Sequence, residues 1–125
     1  MINIGFSITK NKSKFDSMIN QMFKNFKLPE HKINCIFLPT DNDIKNNLKN
    51  LDILLTYNIN KNYFNNKSNN LKWIHLGNAG VDNSLFTEVI KSNILISNSR
   101  GINSGPVSEF VFSVILFLSK NLQDC

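Results

Sequence analysis

Residues 71–122 read LKWIHLGNAGVDNSLF (71–86), ILISNSRG (94–101) and INSGPVSEFVFSVILFLSKNL (102–122). Four of the chain's five glycines lie here: Gly77, Gly80, Gly101 and Gly105. Each pair follows a short apolar run and precedes a helical pattern. Strand, Gly-bearing loop and helix make up the repeating unit of α/β proteins, whose ligands bind outside the carboxyl ends of the strands. These two loops are therefore the candidate binding loops.

The same alternation extends upstream. Ile2, Ile4, Phe6 and Ile8 alternate with Asn3, Gly5 and Ser7, which predicts a first strand. Phe15, Met18, Ile19, Met22, Phe23 and Phe26 recur at helical spacing, predicting an amphipathic helix over 13–27 that Pro29 closes. Strands are predicted at 33–38, 52–57, 73–76 and 94–96. Asp41 is the expected cap of a short helix carrying Ile44, Leu48 and Leu51. A second short helix is expected within 81–90, through Leu85, Phe86, Val89 and Ile90. The Asn-rich stretch 58–70, with Tyr63 and Phe64 as its large apolar pair, reads as a loop with one helical turn. Strands alternating with helices imply parallel pairing and right-handed crossovers. The expected fold class is α/β: a flavodoxin-like three-layer domain with a parallel sheet, followed by a long C-terminal helix.

That last helix, predicted from Pro106 to Leu122, differs from the others. Pro106 suits its first position and Glu109 its first turn. Beyond them, Phe110, Val111, Phe112, Val114, Ile115, Leu116, Phe117 and Leu118 point in nearly every direction. A helix apolar almost all round needs cover on most faces. The small domain is expected to offer one face, and a second domain or another subunit the rest.

Composition narrows the classes of function. A chain of 125 residues with 42% apolar residues can build one globular core. The formal charge is +5, but the lysines are scattered and Arg100 is the single arginine, so no nucleic-acid footprint is expected. Cys35 and Cys125 are too few and too far apart for a metal site or a disulfide framework. There is no signal-peptide pattern, and the longest apolar run is far shorter than a membrane span. A cytoplasmic protein with neither membrane nor nucleic-acid partners is the expectation.

The loops allow two readings each. In Gly77-Asn78-Ala79-Gly80-Val81-Asp82, a small carboxylate could rest on the amides of Ala79 and Gly80. Equally, the loop could be a tight turn whose glycines supply positive φ, with Asp82 capping the helix. Gly101 to Pro106 lacks both the dinucleotide fingerprint and a phosphate loop ending in Lys-Ser or Lys-Thr. It reads as a hinge or capping turn. His75 and His31 lack partners at a catalytic spacing, and Arg100 reads as surface. Phosphoacceptor domains of the same fold are excluded, since the first strand ends Ser7-Ile8-Thr9-Lys10 and the third Thr56-Tyr57-Asn58, without the needed acids. A flavin phosphate loop with Gly after the first strand is absent as well.

Three blocks in order resemble the N-terminal part of the D-isomer-specific 2-hydroxyacid dehydrogenases. LDILLTY (51–57) is similar to the family's third strand, LKWIHLGNAGVD (71–82) to its Ala-Gly-Val-Asp block, and 94–121 to its Thr-Asn…Gly…Val-Ala-Glu block and interdomain helix. The resemblance implies a substrate-binding domain at 1–105 and an interdomain helix at 106–125, leading to an absent nucleotide-binding domain. It implies that Ala79 and Gly80 hold the carboxylate of a 2-hydroxy or 2-oxo acid. It also implies that Ala79 and Val107 lie near NAD or NADP, whose site falls mostly outside this chain. The family's catalytic Arg, acid and His map onto no residue here, so no catalytic residue is expected, and no metal. Phe110 replaces a common His, and Asn78 a frequent Ser. The expected function is the N-terminal part of an NAD(P)-dependent dehydrogenase, a fragment inactive alone and a homodimer when full length. The alternative is a stand-alone, non-catalytic flavodoxin-like binding or interaction module.

Overall fold

The computed structural model describes residues 1–62, 64 and 70–124. Tyr63, half of the apolar pair of the Asn-rich loop, and Cys125 lie outside them. The elements are β1 (Ile2–Ser7), α1 (Lys12–Phe26), β2 (Ile33–Phe37), α2 (Asp41–Asn47), β3 (Ile53–Thr56), β4 (Trp73–Leu76), α3 (Thr87–Ile90), β5 (Leu95–Asn98) and α4 (Ser104–Ser119). All four strand pairings are parallel and the order is β2-β1-β3-β4-β5. This is the doubly wound, flavodoxin-like arrangement expected from the alternation of elements. No described helix is long and apolar enough to cross a membrane.

The two faces of the sheet are unequal. On one, Leu38, Leu54, Ile74 and Leu76 pack against Ile44 and Leu48 from α2 and its extension, Val89 of α3, and Leu51, Ile59, Phe64 and Leu71 from the connections. Leu51, Leu54, Ile74 and Leu76 are wholly buried. Apolar area removed from water contributes about 25 cal/mol per Å², so this layer holds the fold together. On the other face, Phe15 of α1 meets Phe6 edge-on at 5.7 Å between ring centroids and Phe37 at 5.1 Å. Cover stops there. Over β3, β4 and β5, Ile53 and Leu55 are half-buried while Trp73 and Leu95 are exposed.

Local chemistry sets the boundaries, and several differ from expectation. Asn11 Oδ1 accepts from Lys14 N at 3.0 Å and starts α1. The helix stops at Lys27, which takes the left-handed conformation (φ 48°), before Pro29 is reached. The cap of α2 is Thr40, not Asp41. Thr40 Oγ1 accepts from Asp43 N, and the Asp43 carboxylate accepts from Thr40 N, a reciprocal capping box. Leu48 belongs to a 3₁₀ turn (Leu48–Asn50) and Leu51 follows it, so α2 itself carries only Ile44. The short helix α3 is a single turn with Phe86 at its N-cap, so Asp82 does not cap it. The fifth strand is Leu95–Asn98, shifted by one residue and extended beyond Ile96.

α4 begins at Ser104, two residues before the expected Pro106. The first four helical N–H groups have no intrahelical acceptor, so proline fits at the third position as well as the first. Glu109 consequently falls outside the first turn and is not a dipole partner there. The helix is also more isolated than its pattern suggested: none of its residues is buried, so the described residues of the domain bury no face of it.

Candidate functional site

The loops after β4 and β5 are stitched together by main-chain groups and asparagine side chains. Gly77 N donates to Thr56 O at 2.9 Å, tying the end of β4 to β3. Asn78 Nδ2 donates to Tyr57 O at 3.0 Å. From the other side, Ser99 N donates to Asn78 O at 3.1 Å and Asn98 Nδ2 to Ala79 O at 2.8 Å. The loop 77–80 is thus clamped between the ends of β3 and β5. The carbonyls of Asn78 and Ala79 are engaged, but the amides of Ala79 and Gly80 have no acceptor among the described residues. Two successive amides held by a rigid scaffold and left without an acceptor suit a small anion.

The loop into α4 forms the facing wall. Gly101 has φ +88°, a conformation that glycine adopts without strain. Its carbonyl accepts from Ser104 N at 3.3 Å and Ser104 Oγ at 2.7 Å, and Asn103 O accepts from Val107 N at 3.0 Å. Between the loops lies a cleft of about 390 Å³, with Gly77 and Ala79 on one side and Ser99, Gly101, Asn103 and Val107 on the other. None of its lining residues is charged. The cleft can hold a small ligand through amides and hydroxyls, but it has no general acid or base of its own.

The structure brings Ala79 and Val107 to this one cleft, while Gly80 is next to it and is not part of its lining. The expectation that the glycines of the first loop supply positive φ does not hold, since Gly101 is the only described glycine with positive φ. Arg100 is exposed and does not line the cleft. His31 and Glu109 are exposed as well. His75 lies on the half-open face of the sheet, where Nδ1 is 2.9 Å from Ser97 Oγ and Nε2 is 3.2 Å from Ser99 Oγ. Trp73 Nε1 donates to the same Ser97 hydroxyl at 2.8 Å. Cys35 is half-buried in β2, and desolvation pushes its thiol above the usual range, away from reactivity. Among the described residues no group of three or more His, Cys, Asp or Glu could hold a metal.

Sequence reading missed Tyr57 and the cleft beside it. Ser7, Thr9, Lys10, Asp41 and Tyr57 contribute to a second cavity of about 290 Å³ at the carboxyl ends of β1, β2 and β3. The strand order places the reversal of winding between β1 and β3, where open α/β sheets leave a crevice. The topology already points there, whereas no sequence motif marks it.

Fold and site together define a doubly wound α/β domain with a cleft at the carboxyl ends of its last two strands. A solved structure shares this fold over 98% of the chain, with a TM-score of 0.69 and 21% identity: a D-isomer specific 2-hydroxyacid dehydrogenase family protein from Aeromonas salmonicida subsp. salmonicida A449. The chain spans 37% of the length of that protein. No protein-family model and no curated protein matches the sequence. The chain therefore resembles the D-isomer-specific 2-hydroxyacid dehydrogenases in fold as well as in the order of its three sequence blocks.

Proposed function

We propose that these 125 residues are the N-terminal, substrate-binding part of an NAD(P)-dependent 2-hydroxyacid dehydrogenase. The observation that carries this reading is the pair of acceptor-free amides at Ala79 and Gly80, held beside a cleft that Val107 also lines. The carboxylate of a 2-hydroxy or 2-oxo acid rests on those amides. Ala79, Ile102 and Val107 give the cleft an apolar wall that fits one edge of a nicotinamide ring. Nothing in the lining suits a dinucleotide's phosphates, so most of the cofactor site would be supplied outside these residues. A nicotinamide bound there would supply hydride exchange with C2 of the substrate. This chain's own residues bind and orient the acid, and the Arg, acid and His of the resembled family have no counterpart on them. A homodimeric, cytoplasmic enzyme is the corresponding full-length form.

The test is a titration of the ¹⁵N-labelled chain with glyoxylate, hydroxypyruvate and pyruvate, together with a turnover assay using NADH or NADPH. The expected result is a saturable shift of the Ala79 and Gly80 amide signals with no turnover. Shifts elsewhere, or none, would remove the carboxylate site, and turnover above the buffer blank would refute the claim that the residues are inactive alone.

A further inference from the structure

A polar ladder runs along the half-open face of the sheet and ends in the cleft. Trp73 and His75 of β4 share that face with Ser97 and Ser99, because residues two apart along a strand lie on one side. Trp73 Nε1 donates to Ser97 Oγ at 2.8 Å, His75 Nδ1 lies 2.9 Å from the same oxygen, and His75 Nε2 lies 3.2 Å from Ser99 Oγ. In-register neighbours on this face, Ile53, Leu55 and Leu95, are apolar, so strand pairing alone does not call for two serines and a histidine here. Ser99 is the rung that lines the cleft, and its N–H is fixed to Asn78 O at 3.1 Å, one residue from the Ala79 amide.

The ladder has a direction. An indole N–H only donates, so Ser97 Oγ accepts from Trp73. A hydroxyl that accepts is polarised to donate in turn, and among the described residues His75 Nδ1 is the acceptor within reach of the Ser97 proton. The bond at one ring nitrogen sets the state of the other. Nδ1 is therefore the bare nitrogen of the neutral ring, and Nε2–H donates to Ser99 Oγ. That leaves the Ser99 proton without an acceptor among the described residues, on the wall of the cleft. The other hydroxyl in the lining, Ser104 Oγ, gives its proton to Gly101 O at 2.7 Å.

We propose that Ser99 is a specificity-determining residue of this cleft, its hydroxyl held by His75 as a donor to an oxygen of a small carboxylate, and that His75 is a positioning residue acting through it. The inference rests on the carboxylate reading of the cleft and adds a side-chain donor to the Ala79 and Gly80 amides. A carboxylate has two oxygens with about four lone-pair sites, so it can accept from both amides and from Ser99 together. The sense of the ladder matters. With Nδ1 protonated instead, Ser99 would spend its proton on Nε2 and turn lone pairs to the cleft, against an anion. Trp73, Ser97 and His75 thus set the polarity of a wall that carries no charged residue.

The experiment uses the whole ¹⁵N-labelled chain in a His31→Gln background, so that His75 is its one histidine. Long-range ¹H–¹⁵N correlation at about pH 8.5, where imidazole is neutral, reads the two ring nitrogens without ligand. The expected result is a protonated Nε2 and a bare Nδ1, with a mixture of the two forms in Ser97→Ala. Acetate and glyoxylate are then titrated against the Ala79 amide signal. Ser99→Ala should raise the apparent dissociation constant about 20-fold, the loss of a hydrogen bond to a charged acceptor, while Ser99→Thr, which keeps the hydroxyl, stays close to the parent. His75→Leu should weaken binding in the same direction, and His75→Gln, which offers an amide N–H of similar reach, should restore it. A protonated Nδ1 in the parent, or unchanged binding in Ser99→Ala, overturns the proposal and leaves the carboxylate site standing. A parent chain that binds acetate through Ser99 but not glyoxylate removes the 2-oxo acid and keeps the donor. No shift with either probe removes both.

Discussion

The ring of Tyr57 lies against Gly77: a β-carbon at position 77 would fall 2.8 Å from Tyr57 Cε1 and 2.9 Å from Cδ1. Gly77 lines the cleft between the β4 and β5 loops, and Tyr57 lines the cavity at the ends of β1–β3. The pair therefore forms the partition between the two cavities. Position 77 needs glycine because of this approach and not because of its backbone conformation, which has no positive φ.

A double-mutant cycle checks the contact. Gly77→Ala should cost about 1 kcal/mol, at the low end for overpacking, because Tyr57 is 47% exposed and its ring can swing aside. In a Tyr57→Ala background the same substitution should be neutral or stabilise by about 0.5 kcal/mol, through reduced freedom of the unfolded chain. Urea unfolding of the four proteins gives the coupling. Equal costs in both backgrounds would mean that the ring is not the obstacle.

Gly80 and Asn78 should separate binding from stability. A β-carbon at Gly80 meets no protein atom within 4 Å. Gly80→Val should therefore leave the unfolding free energy within about 0.5 kcal/mol of the parent. If the acid rests on the Ala79 and Gly80 amides, the same change should raise the apparent dissociation constant for glyoxylate at least about tenfold, a cost of about 1.4 kcal/mol. Asn78→Ser should do the reverse. It removes the bond to Tyr57 O and costs about 1 kcal/mol of stability, with binding changed little. Isothermal titration beside urea unfolding reads both, and a Gly80→Val protein that binds normally removes the carboxylate assignment.

Much of the architecture is legible in the sequence because each strand is short and bounded. Trp73 to Leu76 lies between polar residues and Gly77, and the strand occupies those four positions. Where a helix meets a strand the limits are less visible, since side-chain capping overrides apolar periodicity: Thr40 captures α2 through Asp43, and Lys27 ends α1 by turning left-handed. The placement of α4 is not legible at all. Its residues require burial by their chemistry, but nothing in their spacing states which surface supplies it. In the site, the Gly-bearing loops can be read from their position after strands. Tyr57 over Gly77 and the clamp from Asn98 cannot, because they join residues about 20 positions apart in the chain.

Asp52 makes stability depend on pH at the lower edge of the sheet. Its carboxylate accepts from Asn3 N at 3.0 Å and from Lys72 Nζ at 3.1 Å. The backbone bond from Asn3 first, then the Lys72 ammonium, hold its pKa below the usual carboxylate value. A depressed folded-state pKa stabilises the fold above the unfolded value of about 3.9, and the contribution is lost as pH falls through the folded value. Asp52→Asn should therefore cost about 1 kcal/mol at pH 7, a hydrogen-bonded ion discounted for its partial exposure. That gap should narrow steadily as pH drops below about 4. Urea midpoints of both proteins from pH 7 to 2.5 test it. A gap independent of pH would show that the carboxylate's charge contributes nothing.

The isolation of α4 has a consequence for stability that solubility alone would not reveal. No residue of the helix is buried. Among the described elements its main contact is with the 3₁₀ turn that follows, Leu122–Asp124. A chain ending at Gly105 therefore loses none of the core made by Leu54, Ile74, Leu76 and their neighbours. At dilutions where sedimentation shows the full chain to be monomeric, the two should unfold at the same urea midpoint. As concentration rises, a full chain that buries α4 in a second copy gains stability by mass action, so its thermal midpoint should climb while that of the shorter chain stays constant. The shorter chain should also be more soluble and should bind less hydrophobic dye, because its largest apolar patch is gone. A shorter chain that unfolds earlier at every concentration would mean that α4 packs on its own domain.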